Sequence, residues 1–301
     1  MANKQYLKKI LDEYSYADAA KVAYTQVHET LELYPDQKAK LENAKDLLFE
    51  TPQNDKLLLS ILAEVSERIG IPKNTVNFYA FITATERLVA CYREMNIPES
   101  VIHSILRDFK VKDEECFMYT GIHGSFSDGW LVGWFKRDRF AFGRLQFNIG
   151  ALTYPEITVG GKTFREGDKI ICIHIPRLPD PFTPEARLES YKGAYEFFKD
   201  CFNDKEIPFT CNSWLLHPYN KEVLKPTANV VTFLEEFKPM RTYDGEVWIR
   251  FIFGKLYTGN PDDLPEESSL HRGYKKYLKE GGKTGSGYGI FLFDGENIIN
   301  N

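Results

Sequence analysis

The sequence predicts an α/β protein of mixed α+β character: a helical N-terminal domain over residues 1–115, then a mixed β-sheet domain over residues 116–301. Three observations predict it. Apolar residues recur at three- and four-residue intervals from Lys4 to about Phe109, the period of a helix with one buried face. After the charged run Val111–Glu115, glycine, tryptophan and alternating apolar residues take over, as strands and their turns require. Finally, the apolar run KIICIHIP at 169–176 passes through a proline-rich turn, RLPDPFTPEA, into an amphipathic stretch that ends near Phe202. A strand that delivers its C-terminal end to a helix N-terminus is how α/β proteins build ligand crevices.

The N-terminal pattern breaks at Pro35, Thr51-Pro52, Gly70-Ile71-Pro72 and Ile97-Pro98, which divides it into about five helices. Asn74 to Met95 is apolar around most of its circumference, so it is the expected central helix that the others cover. Lys73 or Asn74 starts it after Pro72, and Asn96-Ile97-Pro98 stops it. In the second half, strands are expected at 140–152, 169–176, 209–216, 246–253 and 288–293, with helices at 128–136, 184–202, 229–238 and 267–279. GGK at 160–162 reads as a hairpin turn feeding the strand at 169. EGGKTGSGYG lacks the glycine spacing of a P-loop or a dinucleotide fingerprint and reads as a flexible loop.

Composition excludes several classes. A net charge of −5 argues against general nucleic-acid binding, which needs concentrated Lys and Arg to replace phosphate counterions. No apolar run approaches the roughly 20 residues of a membrane span, and MANKQYLKKILDEY has no signal-peptide core, so a cytoplasmic location without membrane attachment is expected. The five cysteines show no CxxC spacing and the six histidines no HxxxH or HExxH pattern. Free thiols and no metal are therefore expected.

The strand at 169–176 places Ile170, Cys172 and His174 on one side and Ile171, Ile173 and Ile175 on the other. His174 is expected inside a hydrophobic layer near the strand's end, where burial keeps imidazole neutral and able to accept a proton. The bland alternative is a core histidine with one hydrogen bond. FTCNSWLLHP carries Cys211, Asn212, Ser213 and Trp214; its polar residues either bond neighbouring backbone or face a cavity, and Cys211 has no evident base. Arg144, Gln146 and Asn148 share one strand face, which is either solvated or lines a polar cleft. Thr183 suits a helix N-cap with Pro184 in the first helical position.

The blocks GRLQFNIGAL, GDKIICIHIPR, SYKGAYEFF, FTCNSWLLHP and NVVTFLEEF together resemble the C-terminal part of a family of GNAT-like N-acyltransferases with a helical N-terminal domain, proteins similar to nucleotide-sugar N-acyltransferases. The likeness runs from about residue 117 to 293, and the preceding helices are similar to the family's N-terminal domain. It implies a GNAT-like sheet in which two central parallel strands splay and the pantetheine arm of acyl-CoA threads the gap. KIICIHIP and FTCNSWLL would be that pair and RLPDPFTPEA the pyrophosphate loop, although the family's glycines are replaced there by prolines.

The implied activity is transfer of an acyl group from coenzyme A, or another thioester, to an amine on a small-molecule acceptor. On this reading His174 is the base, with Ser213 or Asn212 hydrogen-bonding the thioester carbonyl or the departing thiolate. Ile175, Arg177, Leu178 and Thr183 contact the coenzyme, the N–H near Ile175 polarising the carbonyl, while Arg144, Gln146 and Trp214 bind the acceptor. The alternatives are a catalytically silent GNAT-like module that binds a metabolite, or an interaction protein whose helical domain recruits a partner.

Overall fold

The computed structural model describes residues 2–51 and 54–300, so Pro52 of the expected break at Thr51-Pro52 lies outside the described residues. The chain divides into two compact units, Met1–Phe140 and Ala141–Asn301. The composition shift at Val111–Glu115 falls inside a helix that continues to Thr120. The divide at Phe140 lies 25 residues beyond the point where composition alone placed it, because that charged run lies inside a helix that buries Val111, Asp113 and Glu115.

The first unit contains α1 (Ala2–Glu13), α2 (Asp18–Leu33), α3 (Pro35–Asp46), α4 (Asp55–Ile69), α5 (Lys73–Glu94), α6 (Glu99–Thr120) and α7 (Asp128–Trp134). Every residue of α5 from Thr75 to Thr85 is buried, as its circumferential apolarity requires. The hydroxyls inside it are satisfied locally: Thr83 donates to the Tyr79 carbonyl at 2.8 Å and Thr85 to that of Ile82 at 2.6 Å. A buried helix can therefore carry threonine without orphaned polar atoms.

The strands and remaining helices follow in chain order: β1 (Arg139–Phe142), β2 (Leu145–Ala151), β3 (Glu156–Val159), β4 (Lys162–Arg165), β5 (Lys169–His174), α8 (Pro184–Phe198), β6 (Ile207–Ser213), α9 (Asn220–Val223), α10 (Asn229–Glu235), β7 (Lys238–Asp244), α11 (Ile249–Phe253), α12 (Ser269–Lys279), β8 (Gly285–Phe293) and β9 (Ile298–Ile299). The main sheet runs β1-β2-β5-β6-β8-β7, with β9 beside β8. β5 and β6 are parallel, while β2–β5, β6–β8 and β7–β8 are antiparallel. On one face α8 buries Tyr191 against Phe147, Phe209, Phe291 and Phe293. On the other, Val159 of the β3–β4 hairpin packs with Ile290 and Leu292.

Several expected elements differ. The run 140–152 is two strands, because Gly143 turns the chain at φ +56°. Gly160 and Gly161, at φ +55° and +73°, do form a hairpin turn, but it joins β3 to β4 before the chain reaches β5. The segment 246–253 is helical rather than a strand. Its apolar residues satisfy both periods, and the helical one prevails because Ile249, Ile252 and Phe253 fall on one buried face. The glycines of GSGYG belong to β8 rather than to a loop, and β7 escaped the pattern because its exposed residues, KPMRTYD, are mostly polar.

Candidate active site

β5 and β6 stay paired only from Ile171↔Phe209 to Ile173↔Cys211. Beyond that row β5 remains bonded to β2, through Gln146↔His174, and β6 remains bonded to β8, through Ser213↔Gly287. The parallel pair therefore opens at its C-terminal end, and His174 and Asn212, each one residue past the last pair, flank the mouth. The unpaired backbone at the mouth suits a ligand that carries amide groups of its own.

His174 is half-buried rather than sealed in hydrocarbon. By strand alternation it shares its face with Cys172 and with Gln146 and Asn148 of β2. Its Nε2 lies 2.6 Å from Asn148 Oδ1, and the Asn148 amide donates in turn to the Ile149 carbonyl at 2.9 Å. Gln146, the direct cross-strand partner of His174, is 2% exposed and its Oε1 has no hydrogen-bond partner among the described residues. Burial pushes the Cys172 thiol up, partly offset by a bond with Thr210, and burial pushes the Cys211 thiol up strongly. Neither is a thiolate at neutral pH.

The loop after β5 is held by Arg144. Its guanidinium donates to the carbonyls of Pro176 at 2.7 Å, Asp180 at 3.1 Å and Leu178 at 3.3 Å. Arg144 is buried and supports the loop wall, in place of the acceptor contact expected of it. The Leu178 N–H turns back to the Pro176 carbonyl at 2.9 Å, and Arg177 is exposed beside it. Ile175 is half-buried in the same stretch.

At the start of α8 Thr183 accepts from the Ala186 N–H, with Pro184 in the first helical position. Arg187, fully buried, donates through Nε to Glu236 at 2.9 Å and through Nη1 to the Phe182 carbonyl at 2.8 Å. Tyr191 completes this set by donating to the second Glu236 oxygen at 2.7 Å. Burial raises the Glu236 carboxyl, an effect that Arg187 and Tyr191 oppose. Arg187 is matched by Glu236, and the exposed Arg177 is the cation of the loop before α8.

The three residues that follow Cys211 lie in different surroundings. Asn212 is exposed at the mouth. The Ser213 hydroxyl accepts from the Leu215 N–H at 3.2 Å and shapes the 3-10 turn Trp214–Leu216. Trp214 packs on the apolar cluster of Ile249, Ile252, Phe253, Leu264 and Tyr274. The structure thus unites His174 with Gln146 and Asn148. It assigns Arg144, Ser213 and Trp214 to building the surrounding walls. Asn148 was visible as a face-mate of Gln146, but only the register reveals that it bonds His174.

Among the described residues no group of three His, Cys, Asp or Glu side chains is placed to hold a metal ion, and no helix is long and apolar enough to cross a membrane. A family model described as a GNAT-like C-terminal domain matches residues 140–291, and one described as an N-acyltransferase N-terminal domain matches residues 5–136. Among solved structures, the chain is similar to an acyltransferase in complex with decanoyl-CoA and teicoplanin, at 18% identity and a TM-score of 0.74, covering 94% of this chain and 86% of that one. A complex with CoA and 10C-teicoplanin matches at 17% identity and a TM-score of 0.75, with the same coverage of each chain. A mutant acyltransferase bound to octanoyl-CoA matches at 17% and 0.74, covering 95% and 87%. A search of the curated proteins found no match.

Proposed function

The chain belongs to the GNAT-like acyltransferases that join an N-acyltransferase N-terminal domain to a GNAT-like C-terminal domain, and from that premise we propose that it transfers an acyl group from acyl-CoA to an amine of a small-molecule acceptor, with His174 as the base. The observation that carries this reading is the opening of β5 from β6 immediately beyond Ile173↔Cys211, with His174 at its edge.

In this mechanism the thioester lies in the opening with its amide groups on the unpaired strand backbone. The backbone near Ile175 supplies an N–H to the carbonyl oxygen as negative charge develops. An ammonium cannot attack, so a neutral imidazole at His174 receives the amine proton as the new bond forms. The unpartnered Oε1 of Gln146 is placed to accept the other amine hydrogen and orient the lone pair. The phosphates of the coenzyme lie along the loop from Arg177 to Thr183 and the start of α8. Most of the acceleration comes from aligning two bound substrates, an effect of about 7–11 kcal/mol in well-oriented systems. The ligands of the similar structures, decanoyl-CoA, octanoyl-CoA and teicoplanin, make medium-chain acyl-CoAs and teicoplanin the first compounds to assay.

The test is thiol release from acyl-CoAs of several lengths across a panel of amines. Acceptor-dependent release is expected, and His174→Gln should lower kcat by about 10²–10⁴-fold without moving the melting temperature. An unchanged kcat from pH 6 to 9 would remove His174 from the reaction. Tight CoA binding with no release to any amine would replace the enzyme by the silent metabolite-binding module.

A further inference from the structure

Resting on that reading of His174, we propose that Asn148 is a positioning residue that holds the imidazole in the tautomer with its hydrogen on Nε2, which makes Nδ1 the nitrogen that takes the amine proton. The direction of each hydrogen bond fixes this. Asn148 Nδ2 donates to the Ile149 carbonyl at 2.9 Å, so flipping the amide would set its oxygen against that carbonyl oxygen, two acceptors with no hydrogen between them. Oδ1 then points at the imidazole, and an oxygen without a hydrogen makes a bond at 2.6 Å only if Nε2 carries one. A neutral ring with its hydrogen on Nε2 has its lone pair on Nδ1.

The sheet register makes the contact durable. Asn148 pairs with Cys172, two residues before His174, and so lies diagonally across the β2–β5 ladder on the same face. The residues of that face are Gln146, Asn148 and Gly150 on β2 and Ile170, Cys172 and His174 on β5. The one other titratable member, Cys172, is kept protonated by burial. An aspartate in place of Asn148 would accept the same bond but would hold the ring charged, and therefore unable to accept a proton, at a higher pH. The amide orients the ring without setting a charge beside it.

In the step itself the amine N–C bond forms as the C–S bond breaks. The amine proton passes to Nδ1, and the resulting imidazolium returns it to the departing thiolate. The Nε2–H bond to Oδ1 strengthens while the ring is charged, so Asn148 acts through His174 and touches neither substrate.

The tautomer is read directly from the imidazole nitrogen shifts of His174 in ¹⁵N-labelled full-length protein. A protonated Nε2 and a bare Nδ1 are expected, and the reverse pattern overturns the proposal. Asn148→Leu should lose that signature and lower kcat about 10- to 100-fold with KM for acyl-CoA changed by no more than about twofold. Asn148→Asp, nearly isosteric and the safer variant for folding, should keep the tautomer and move the acidic limb of the kcat/KM profile up by at least about one pH unit. If Asn148→Asp leaves the profile in place, the positioning role falls. His174→Gln separates the two ideas: full activity there sinks His174 as base, whereas an inactive His174→Gln beside unaltered Asn148 variants sinks only the role of Asn148.

Discussion

β6 has two unlike borders. Toward β8 it is paired from Ile207↔Phe293 through Ser213↔Gly287, whereas toward β5 the pairing stops at Ile173↔Cys211. One strand serves both, so the difference lies in its neighbours. β8 carries glycine at 285, 287 and 289, which admits other backbone close to it: a Cβ on Gly287 would lie 2.1 Å from the Leu216 carbonyl oxygen. β5 instead stays with β2 past the point where it leaves β6, and places His174 and its polar neighbours at the divergence. The closed border is paired along all of β6, and the open border is where we propose that the substrate lies.

The largest effect should come from attacking the closed border. Gly287→Val sets a side chain against the backbone of the turn Trp214–Leu216, which cannot move aside as a flexible side chain would. We expect a loss of more than about 3 kcal/mol, read as a fall in the denaturant midpoint. A stable Gly287→Val protein would mean that the close approach does not hold the two elements together.

At the open border a smaller, local effect is expected. Arg144→Lys replaces three directed N–H contacts to the Pro176, Leu178 and Asp180 carbonyls by a point charge that cannot reach them together. The loop should loosen and KM for acyl-CoA should rise about fivefold, with kcat lowered less. Equal losses in kcat and kcat/KM would instead make Arg144 part of transition-state stabilisation.

The same contrast explains what was legible in the sequence. The closed core declares itself through burial: KIICIHIP and the helix from Lys73 are apolar enough to admit one reading, and Thr183-Pro184 marks the start of α8 by local chemistry. The exposed edge strand β7 has no apolar face to betray it. EVWIRFIF satisfies two periods at once, so only tertiary packing of Ile249, Ile252 and Phe253 decides between them. The alternate glycines of β8 are a missed signal, since glycine at every second position fits a strand hugged by other backbone. The residue types at the site were readable, but their partners were not. Arg144 on a loop and Arg144 in a cleft look identical until its three carbonyl acceptors are in view, and Asn148 gains its meaning from a register that no local pattern encodes.

The smallest expected effect concerns a second histidine, His217, which follows the turn Trp214–Leu216 and packs beside β8 at the closed border. His217 is 2% exposed, its Nδ1 accepts from the Tyr219 N–H at 3.4 Å, and its ring packs where a Cβ on Gly285 would fall. Burial pulls its pKa below the usual 6.5, and Asp244, whose Oδ1 lies 3.4 Å from Nε2, pulls the other way without prevailing. The unfolded chain therefore binds a proton near pH 6.5 that the folded chain declines until a lower pH. His217 favours the folded state fully above that value, and its contribution is lost as the pH falls through the window below it. His28, also lowered chiefly by burial, acts in the same direction. Denaturant midpoints should thus fall between pH 7 and pH 5, and His217→Asn should make that fall shallower without abolishing it. If the two proteins lose stability in parallel, His217 is protonated in the folded state as readily as in the unfolded one, and the closed border is more open to water than its pairing implies.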